Sequence, residues 1–327
     1  MYINQVPKFP PLIRVTFSLE RKTNEKVQNI KMGGIKIKYL GEVAALGMVG
    51  GAISFEAAGK KVGSLTVNIT RLFIAIVFLS ITSMVTRGVL LPMDATIKSY
   101  TFLGISGFIG MFLGDLFMFE AFVILGARIT TLILTLVPVV TTVSAWMILG
   151  ETLAIRETMA IFLTVGGVFL VMYSKGRGGE KKEEFPLKGI LCAVGGVLGQ
   201  SLGMVFSKIG IEGYDPIAAT QIRIIVAIIA LIILIAFKGR WREIADGLKN
   251  REAVKWIDIG SFFGPFFGVT ALLIALKNAS TGIVSTISSI SPVLVIPFSV
   301  VLFKDRVSLT EIVGTVISIG GVSLFFL

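Results

Sequence analysis

Long runs of apolar residues, interrupted by short polar segments, make up most of this chain after residue 38. A transmembrane helix needs about 20 mainly apolar residues to cross the hydrocarbon core of a bilayer. Irregular backbone cannot cross that core unpaired, so helices are the expected form of such runs. Ten segments meet this requirement and predict an all-α polytopic membrane protein with ten transmembrane helices: roughly 40–59, 65–86, 99–121, 127–149, 155–174, 187–209, 216–237, 256–277, 280–303 and 307–327.

The polar segments between the runs indicate how neighbouring helices are connected. The shortest, 124–126 and 278–279, leave only a few residues for reversal of the chain, so they predict antiparallel hairpins. Longer polar links are expected at 87–98, 175–186 and 238–255.

Residues 1–38 are expected to form a mobile basic tail. They contain three prolines in the first eleven positions and no long apolar run, so they lack the h-region of a secretory signal peptide. Met32 stands just before the first apolar segment, and we consider it as an alternative start of the mature chain. N-terminal sequencing of the expressed protein would test that hypothesis.

The chain contains one pattern twice. Residues 110–170 align with residues 264–324 after a shift of 154 positions, and a shift of 152 aligns the earlier part of each half. The pattern predicts a first repeat over 39–174, a charged linker over 175–186 and a second repeat over 187–327. The aligned positions include Gly110 with Gly264, Gly114 with Gly268, Pro138 with Pro292, Glu56 with Lys208, and Arg71 with Arg223.

Each repeat holds five of the ten predicted spans, which is an odd number. The second repeat must therefore enter the membrane from the opposite side, which predicts an inverted-topology repeat with a binding site near the bilayer midplane. We expect both termini in the cytoplasm. The Lys- and Arg-rich links at 175–186 and 238–255 oppose that orientation, whereas the basic N-terminal tail favours it.

Composition supports the membrane prediction. The 327 residues are 54% hydrophobic and 16% charged, whereas soluble domains carry about 25% charged residues. The net charge is +11. Since the basic residues lie in links and tails, anionic lipid headgroups are the expected partner, and nucleic acid is not.

Two residue types that carry much enzyme chemistry are scarce. The chain has no histidine and a single cysteine, Cys192. An internal disulfide, a histidine-based catalytic triad and the usual zinc or haem sites are therefore excluded. No P-loop is present either. We expect a protein that is not an enzyme, has no cofactor or metal, and does not drive transport with ATP by itself.

Ionisable residues inside the apolar segments are the main candidates for a site, because charge in a bilayer is costly and usually faces a cavity or a partner. Arg71 and Arg223 occupy equivalent positions, with Asn68 and Thr220 one turn before them. A symmetric arginine pair could bind carboxylates. The alternative is a structural role, in which each arginine ties its helix to carbonyls or headgroups.

Acidic residues occur in the third span without counterparts in the eighth. Asp115 and Glu120 align with Val269 and Ile274, and they point about 140° apart on a helix. Either acid could hold and release a proton, which a proton-coupled carrier needs. The alternative for Asp115 is that it neutralises Arg71 or Arg223.

Other candidates have equally open roles. Glu56 and Lys208 could pair, line the pathway or snorkel from helix ends. Gln200 and Ser207 share one helix face and could either bind substrate or join helices. Pro138 and Pro292 each remove a helical hydrogen bond, so they predict kinks that are either static or gate the cavity. Glycines at four-residue spacing predict close helix packing: Gly47/Gly51, Gly110/Gly114, Gly195/Gly199/Gly203 and Gly264/Gly268.

These residues together resemble the EamA branch of the drug/metabolite transporter superfamily over about residues 38–327. The features that carry the resemblance are ordered and repeated: Val137-Pro138-Val139, Leu149-Gly150-Glu151-Thr152-Leu153 and Gly166-Gly167-Val168, then Ser291-Pro292-Val293, Phe303-Lys304-Asp305-Arg306-Val307 and Gly320-Gly321-Val322, with Arg71, Arg223 and Asp215-Pro216. Two positions depart from the family pattern: Glu56, where the family often has Lys, and Asp305, where it usually has Glu.

The resemblance implies a ten-helix carrier in the cytoplasmic membrane. Its relatives move amino acids, other small metabolites or toxic compounds, often as exporters. We therefore expect a secondary active transporter that works by alternating access, with proton coupling through Asp115 or Glu120 as a further hypothesis. The alternatives are a flippase for a lipid-linked or amphipathic substrate and a non-catalytic membrane subunit of a complex.

Overall fold

A computed structural model describes residues 31–32, 35–150, 155–175, 186–278, 281 and 309–324. Within these ranges the chain is almost entirely helical, apart from one short β-hairpin. The elements are β1 (Lys31–Met32), β2 (Ile35–Lys36), α1 (Ile37–Val62), α2 (Ser64–Arg87), α3 (Ile97–Gly126), α4 (Ile129–Leu149), α5 (Ile155–Lys175), α6 (Leu187–Gly210), α7 (Pro216–Lys238), α8 (Trp241–Leu248), α9 (Arg251–Lys277) and α10 (Leu309–Leu324).

Six helices in the described part of the chain are long and apolar enough to cross a membrane: α2, α3, α4, α6, α7 and α9. They coincide with six of the ten predicted spans. Three further predicted spans coincide with α1, α5 and α10. The predicted span 280–303 falls almost wholly outside the described residues. The multi-pass membrane prediction is supported, and the count of ten spans stays a prediction.

Helix ends follow local signals that the chain supplies. Gly63, with φ 80°, separates α1 from α2, and Gly88, with φ 72°, ends α2 in the left-handed conformation that favours glycine. Asp215 begins α7 by accepting a hydrogen bond from the Ala218 backbone N–H at 3.0 Å. Asn250 begins α9 by accepting one from Ala253 N–H at 3.1 Å.

Several predicted boundaries were displaced. The third span was expected to end near residue 121, but α3 continues to Gly126, where φ 79° and ψ 164° break the helix. The link expected at 238–255 contains the eight-residue helix α8. The expected tail 1–38 overlaps β1, β2 and the start of α1, while residues 1–30 lie outside the described part.

Two π-helical segments interrupt α3 and α9 at equivalent places. They span Gly107–Gly114 and Phe262–Gly268, and both end at glycines 154 positions apart. A π-turn inserts an extra residue into a helix and often marks a functional site. In α9 the segment contains Pro265, which cannot donate to the helical ladder.

Helices α3 and α6 run antiparallel and pack glycine against glycine. A Cβ at Gly203 would lie 2.8 Å from the Cα of Gly110, and a Cβ at Gly114 would lie 3.0 Å from the Cα of Gly199. Leu103, near the start of α3, faces Gly210 at the end of α6, and Leu125, near the end of α3, faces Gly189 at the start of α6. This opposite order shows that the two helices are antiparallel. The glycine packing is the close approach that small residues permit between helices in a membrane.

Two other helix pairs are also antiparallel. In the α1–α9 pair, Gly51 faces Gly264 and Phe55 faces Gly260. In the α2–α7 pair, Gln221 near the start of α7 donates to Ser80 Oγ at 3.2 Å, near the end of α2. Helices α2 and α7 share an apolar core: Leu65, Ile69, Leu72, Ala75, Leu79, Ile224, Ala227, Ile228, Leu231 and Ile235.

Candidate functional site

Arg71 lies seven residues into α2 and is 4% exposed. Its Nε and Nη2 donate to Asn68 Oδ1 at 3.2 and 3.0 Å. Its Nη2 also donates to Asp115 Oδ2, which closes a buried ion pair. The guanidinium lies 4.6 Å from the ring centroid of Phe119, within cation–π range. Arg71 is therefore neutralised and held from three sides.

Asp115 is the first residue after the π-helical segment of α3 and is 3% exposed. Its second carboxylate oxygen, Oδ1, accepts a hydrogen bond from Gln200 Nε2 of α6 at 2.6 Å. Gln200 reaches Asp115 because the neighbouring glycines, Gly114 and Gly199, let α3 and α6 approach closely. The glycine packing thus helps to build the polar cluster.

Arg223 approaches the same region from α7 and is 6% exposed. Its Nε and Nη1 have no hydrogen-bond partner among the described residues. The backbone of Arg223 lies against Gly107 of α3, and its Nη2 would be 3.5 Å from a Cβ placed on Gly110. Among the described residues the two arginines therefore differ: Arg71 forms an ion pair, and Arg223 does not.

Five sequence-predicted site residues lie on α2, α3, α6 and α7: hydrogen bonds join Asn68, Arg71, Asp115 and Gln200, and Arg223 lies against Gly107 and Gly110 of α3, the helix that carries Asp115. We name this group the charged cluster. Arg71 lies about 10 Å from the start of α2 and Arg223 about 10 Å from the start of α7, at a rise of about 1.5 Å per residue. Since the two helices are antiparallel, the arginines lie on either side of the middle of the helix pair.

The sequence profile of the EamA-like transporter family matches residues 39–173 and 187–327. The chain belongs to the EamA-like transporter family. The two matched segments coincide with the two repeats predicted from the sequence, so each half of the chain is an EamA-like unit.

Members of the EamA-like family are transporters of small molecules and not enzymes, which supports the function class expected from the sequence. A solved crystal structure of a protein is similar in fold, with a TM-score of 0.63 at 16% sequence identity. That likeness covers 88% of this chain and 96% of the other. No curated protein sequence matches the chain.

The remaining candidate residues of this EamA-like chain lie outside the charged cluster. Glu56 forms an ion pair with Lys60 at 2.5 Å, and Lys208 donates to the Leu276 carbonyl oxygen at 2.6 Å. Ser207 Oγ bonds Ser106 Oγ at 2.7 Å, which joins α6 to α3. Helix joining was the alternative considered for Ser207, and its observed contacts are of that kind.

Glu120 lies nearer the end of α3 than Asp115 does. It accepts hydrogen bonds from Ser64 Oγ and from Lys188 Nζ, both at 2.7 Å. Its contacts therefore join the ends of α2, α3 and α6. The two acids of the third span have different environments, one inside the charged cluster and one at a helix end.

Pro138 follows a break in α4. Residues Thr135 and Leu136 form a turn, and Pro138 stands at the start of the helical segment Val137–Leu149. Ser201 Oγ of α6 donates to the Val137 carbonyl oxygen at 3.1 Å beside the break. Pro292 lies outside the described residues, so its kink stays a prediction.

Sequence reasoning missed an ionic cluster that ties the α2–α3 link to the start of α7. Arg87 Nη2 lies 2.5 Å from Asp94 Oδ2, and Tyr214 Oη donates to Asp94 Oδ1 at 2.9 Å. The hydrogen bond from Arg87 lowers the pKa of Asp94. Burial raises the pKa of Tyr214, and its bond to Asp94 acts in the same direction. The only sequence signal was the helix start at Asp215-Pro216.

Proposed function

We propose that this chain is a secondary active transporter that moves small metabolites, such as amino acids or related compounds, across the cytoplasmic membrane by alternating access. In this proposal, two inverted five-helix repeats rock around the charged cluster. Family membership supports the transporter class, and the buried charged cluster is the observation that carries the more specific proposal.

The inverted arrangement is supported by helix pairs that relate one repeat to the other. Helices α2 and α7 begin 152 positions apart, at equivalent places in the repeats. They nevertheless run antiparallel, as expected when the two repeats enter the membrane from opposite sides. The α1–α9 pair corresponds to the α6–α3 pair by the same repeat, and both are joined through glycines, Gly51 with Gly264 and Gly203 with Gly110.

The placement of charge supports a substrate pathway at the interface between repeats. Arg71 and Asp115 come from the first repeat, and Gln200 and Arg223 come from the second. Buried ionisable groups in membrane helices are costly, and they commonly mark substrate or ion pathways. A group made by both repeats would change its contacts when the repeats rock against each other.

Proton coupling is proposed through Asp115, with Glu120 as the second candidate. Asp115 holds Arg71 and Gln200 together. Protonation of its carboxylate would remove the charge attraction to Arg71 and weaken the hydrogen bond from Gln200, which is a contact between the two repeats. Glu120 contacts Ser64 and Lys188 instead, so its protonation would act at the helix ends.

Uptake by ATP-free proteoliposomes tests the proposal. Liposomes containing the purified chain should take up labelled small metabolites, screened first as amino acids, above protein-free liposomes, and an imposed pH gradient should increase the uptake. Asp115→Asn should remove the effect of the gradient, while Glu120→Gln should retain it if Asp115 is the coupling group. Gradient-driven uptake that is unchanged in Asp115→Asn would contradict the role given to Asp115. Uptake indistinguishable from protein-free liposomes throughout the screen would contradict the transport proposal.

A further inference from the structure

The Arg223 guanidinium is the most poorly satisfied charged group in the charged cluster. It is 6% exposed, and two of its nitrogens, Nε and Nη1, have no partner among the described residues. A guanidinium offers five N–H donors and remains charged in proteins. Removing such a charge from water without a compensating acceptor is strongly unfavourable. A buried acceptor supplied by a bound molecule would offset that cost.

The two repeats explain why Arg223 has no acceptor at the positions equivalent to those that hold Arg71. Arg71 has Asn68 and Asp115 as partners, and the repeat places Thr220 and Val269 at the equivalent positions. The Thr220 hydroxyl donates to the Pro216 carbonyl oxygen at 2.8 Å. Val269 packs beside the apolar core that contains Ile224 and Ile228. The second repeat therefore keeps the arginine and lacks the acid.

Two glycines of α3 lie against Arg223. Gly107 lets the α3 backbone approach the backbone of Arg223, where a Cβ would clash with it. Gly110 has no side chain, and a Cβ there would be in ordinary contact with the guanidinium, at 3.5 Å from Nη2. Met111 and Phe112, which follow Gly110 in α3, are buried and apolar, and they belong to the apolar core that contains Ile224.

The net charge of the charged cluster indicates which charge a molecule bound at Arg223 should carry. Arg71 and Arg223 contribute two positive charges, and Asp115 contributes one negative charge, so the charged cluster has an excess of about one positive charge near neutral pH. One monoanion balances it. A carboxylate also fits the fork of a guanidinium through two parallel hydrogen bonds. A dianionic phosphate would leave an unbalanced negative charge in the same buried region.

We propose that Arg223 binds the carboxylate of a small monocarboxylate with an apolar remainder, and that Arg71 stays paired with Asp115 and does not bind it. The bound carboxylate pairs with Arg223 as Asp115 pairs with Arg71 in the first repeat. This inference rests on the proposed function, because it identifies the bound molecule as the class of cargo.

A pair of substitutions at Val269 gives the sharpest test. Val269→Asp supplies Arg223 with the acid that the repeat lacks, and Val269→Asn introduces a polar side chain of similar size without the charge. The probes are butyrate and benzoate, their neutral amides butyramide and benzamide, and inorganic phosphate, at constant ionic strength. Binding is measured on the purified full-length chain in detergent, by ligand-dependent shifts of the melting temperature and by isothermal titration.

Butyrate or benzoate should bind the native chain and Val269→Asn, and at least about tenfold more weakly to Val269→Asp, the loss expected for one charge-assisted pair. The amides should bind at least about tenfold more weakly than the acids. Equal binding of acids and amides, equal binding by Val269→Asp and Val269→Asn, or preferential binding of phosphate would overturn the proposal.

Arg223→Gln keeps the test decisive if Val269→Asp does not fold. Removing the unpaired charge should raise the ligand-free melting temperature and abolish its increase by benzoate. A benzoate-dependent increase in melting temperature that persists in folded Arg223→Gln would overturn the assignment.

These binding measurements do not depend on transport. Carboxylate binding at Arg223 without proteoliposome uptake would count against the transport proposal alone, and uptake that does not depend on Arg223 would count against the carboxylate site alone.

Discussion

At the scale of single residues, Asn68 orients the guanidinium of Arg71 by accepting hydrogen bonds from two of its nitrogens. Asn68→Ala should therefore lower the free energy of unfolding by about 1.5–3 kcal/mol, the range for hydrogen bonds to charged groups. Thermal unfolding of the purified chain in one detergent measures the change.

The repeat supplies a matched control for that substitution. Thr220 occupies the equivalent position, and within the described part of the chain its hydroxyl bonds the backbone oxygen of Pro216 and not an arginine. Thr220→Val should lower the free energy of unfolding by less than about 1.5 kcal/mol, because an intramolecular hydrogen bond contributes about 0.5–1.5 kcal/mol net to stability. If the two substitutions had equal effects, Asn68 would not have the supporting role described here.

Sequence reasoning predicted the residues of the charged cluster better than their pairing. The three-residue spacing from Asn68 to Arg71 places both on one helix face, and the structure shows their hydrogen bonds. Whether Asp115 would pair with Arg71 or Arg223 stayed open, because that choice depends on how α3 lies between α2 and α7. The contacts of Glu56 and Lys208 also depend on how the helices pack, and the residues next to them in sequence do not show that packing.

At the scale of elements, the glycine contact between α3 and α6 should be sensitive to one added methyl group. A Cβ at Gly199 would overlap the Cα of Gly114, a backbone atom that cannot rotate away. Gly199→Ala should separate the two helices, lower the melting temperature by several degrees, and weaken the bond from Gln200 to Asp115.

Gly166→Ala in α5 is the control, because a Cβ there meets no atom of the described residues within 4 Å. Alanine favours an exposed helix interior by about 1 kcal/mol over glycine, so this variant should be as stable as the native chain or more stable. A melting temperature of Gly199→Ala equal to that of Gly166→Ala would contradict the packing described for α3 and α6.

Helix positions were largely predictable because the apolar runs are long and their glycine boundaries are local signals. Gly88 ends α2, close to the predicted residue 86. The π-helical segments were not predicted, because Gly107–Gly114 reads as an ordinary apolar helix in sequence. Helix α8 was missed for a similar reason: its eight residues fall within a polar link that gives no long apolar run.

At the scale of the whole molecule, the internal duplication led to the main architectural prediction. Helices α2 and α7 have matching starts and pack antiparallel, which is the evidence for the proposal that the repeats are inserted in opposite directions. The two repeats differ in charge at one aligned position, because the first has Asp115 where the second has Val269. That difference leaves one arginine paired and the other available for a carboxylate.

Accessibility of the charged cluster from the two sides of the membrane tests the account most directly. Gln200 is half-buried beside Asp115, so Gln200→Cys on a Cys192→Ser background places a single thiol there. Intact cells and inverted membrane vesicles expose opposite faces to a membrane-impermeant methanethiosulfonate reagent. Asp94→Cys, in the α2–α3 link, is the one-sided control and should react from a single face. The account predicts that Gln200→Cys reacts from both faces, in proportions that benzoate changes. Reaction from one face only, or from neither, would contradict alternating access around this group.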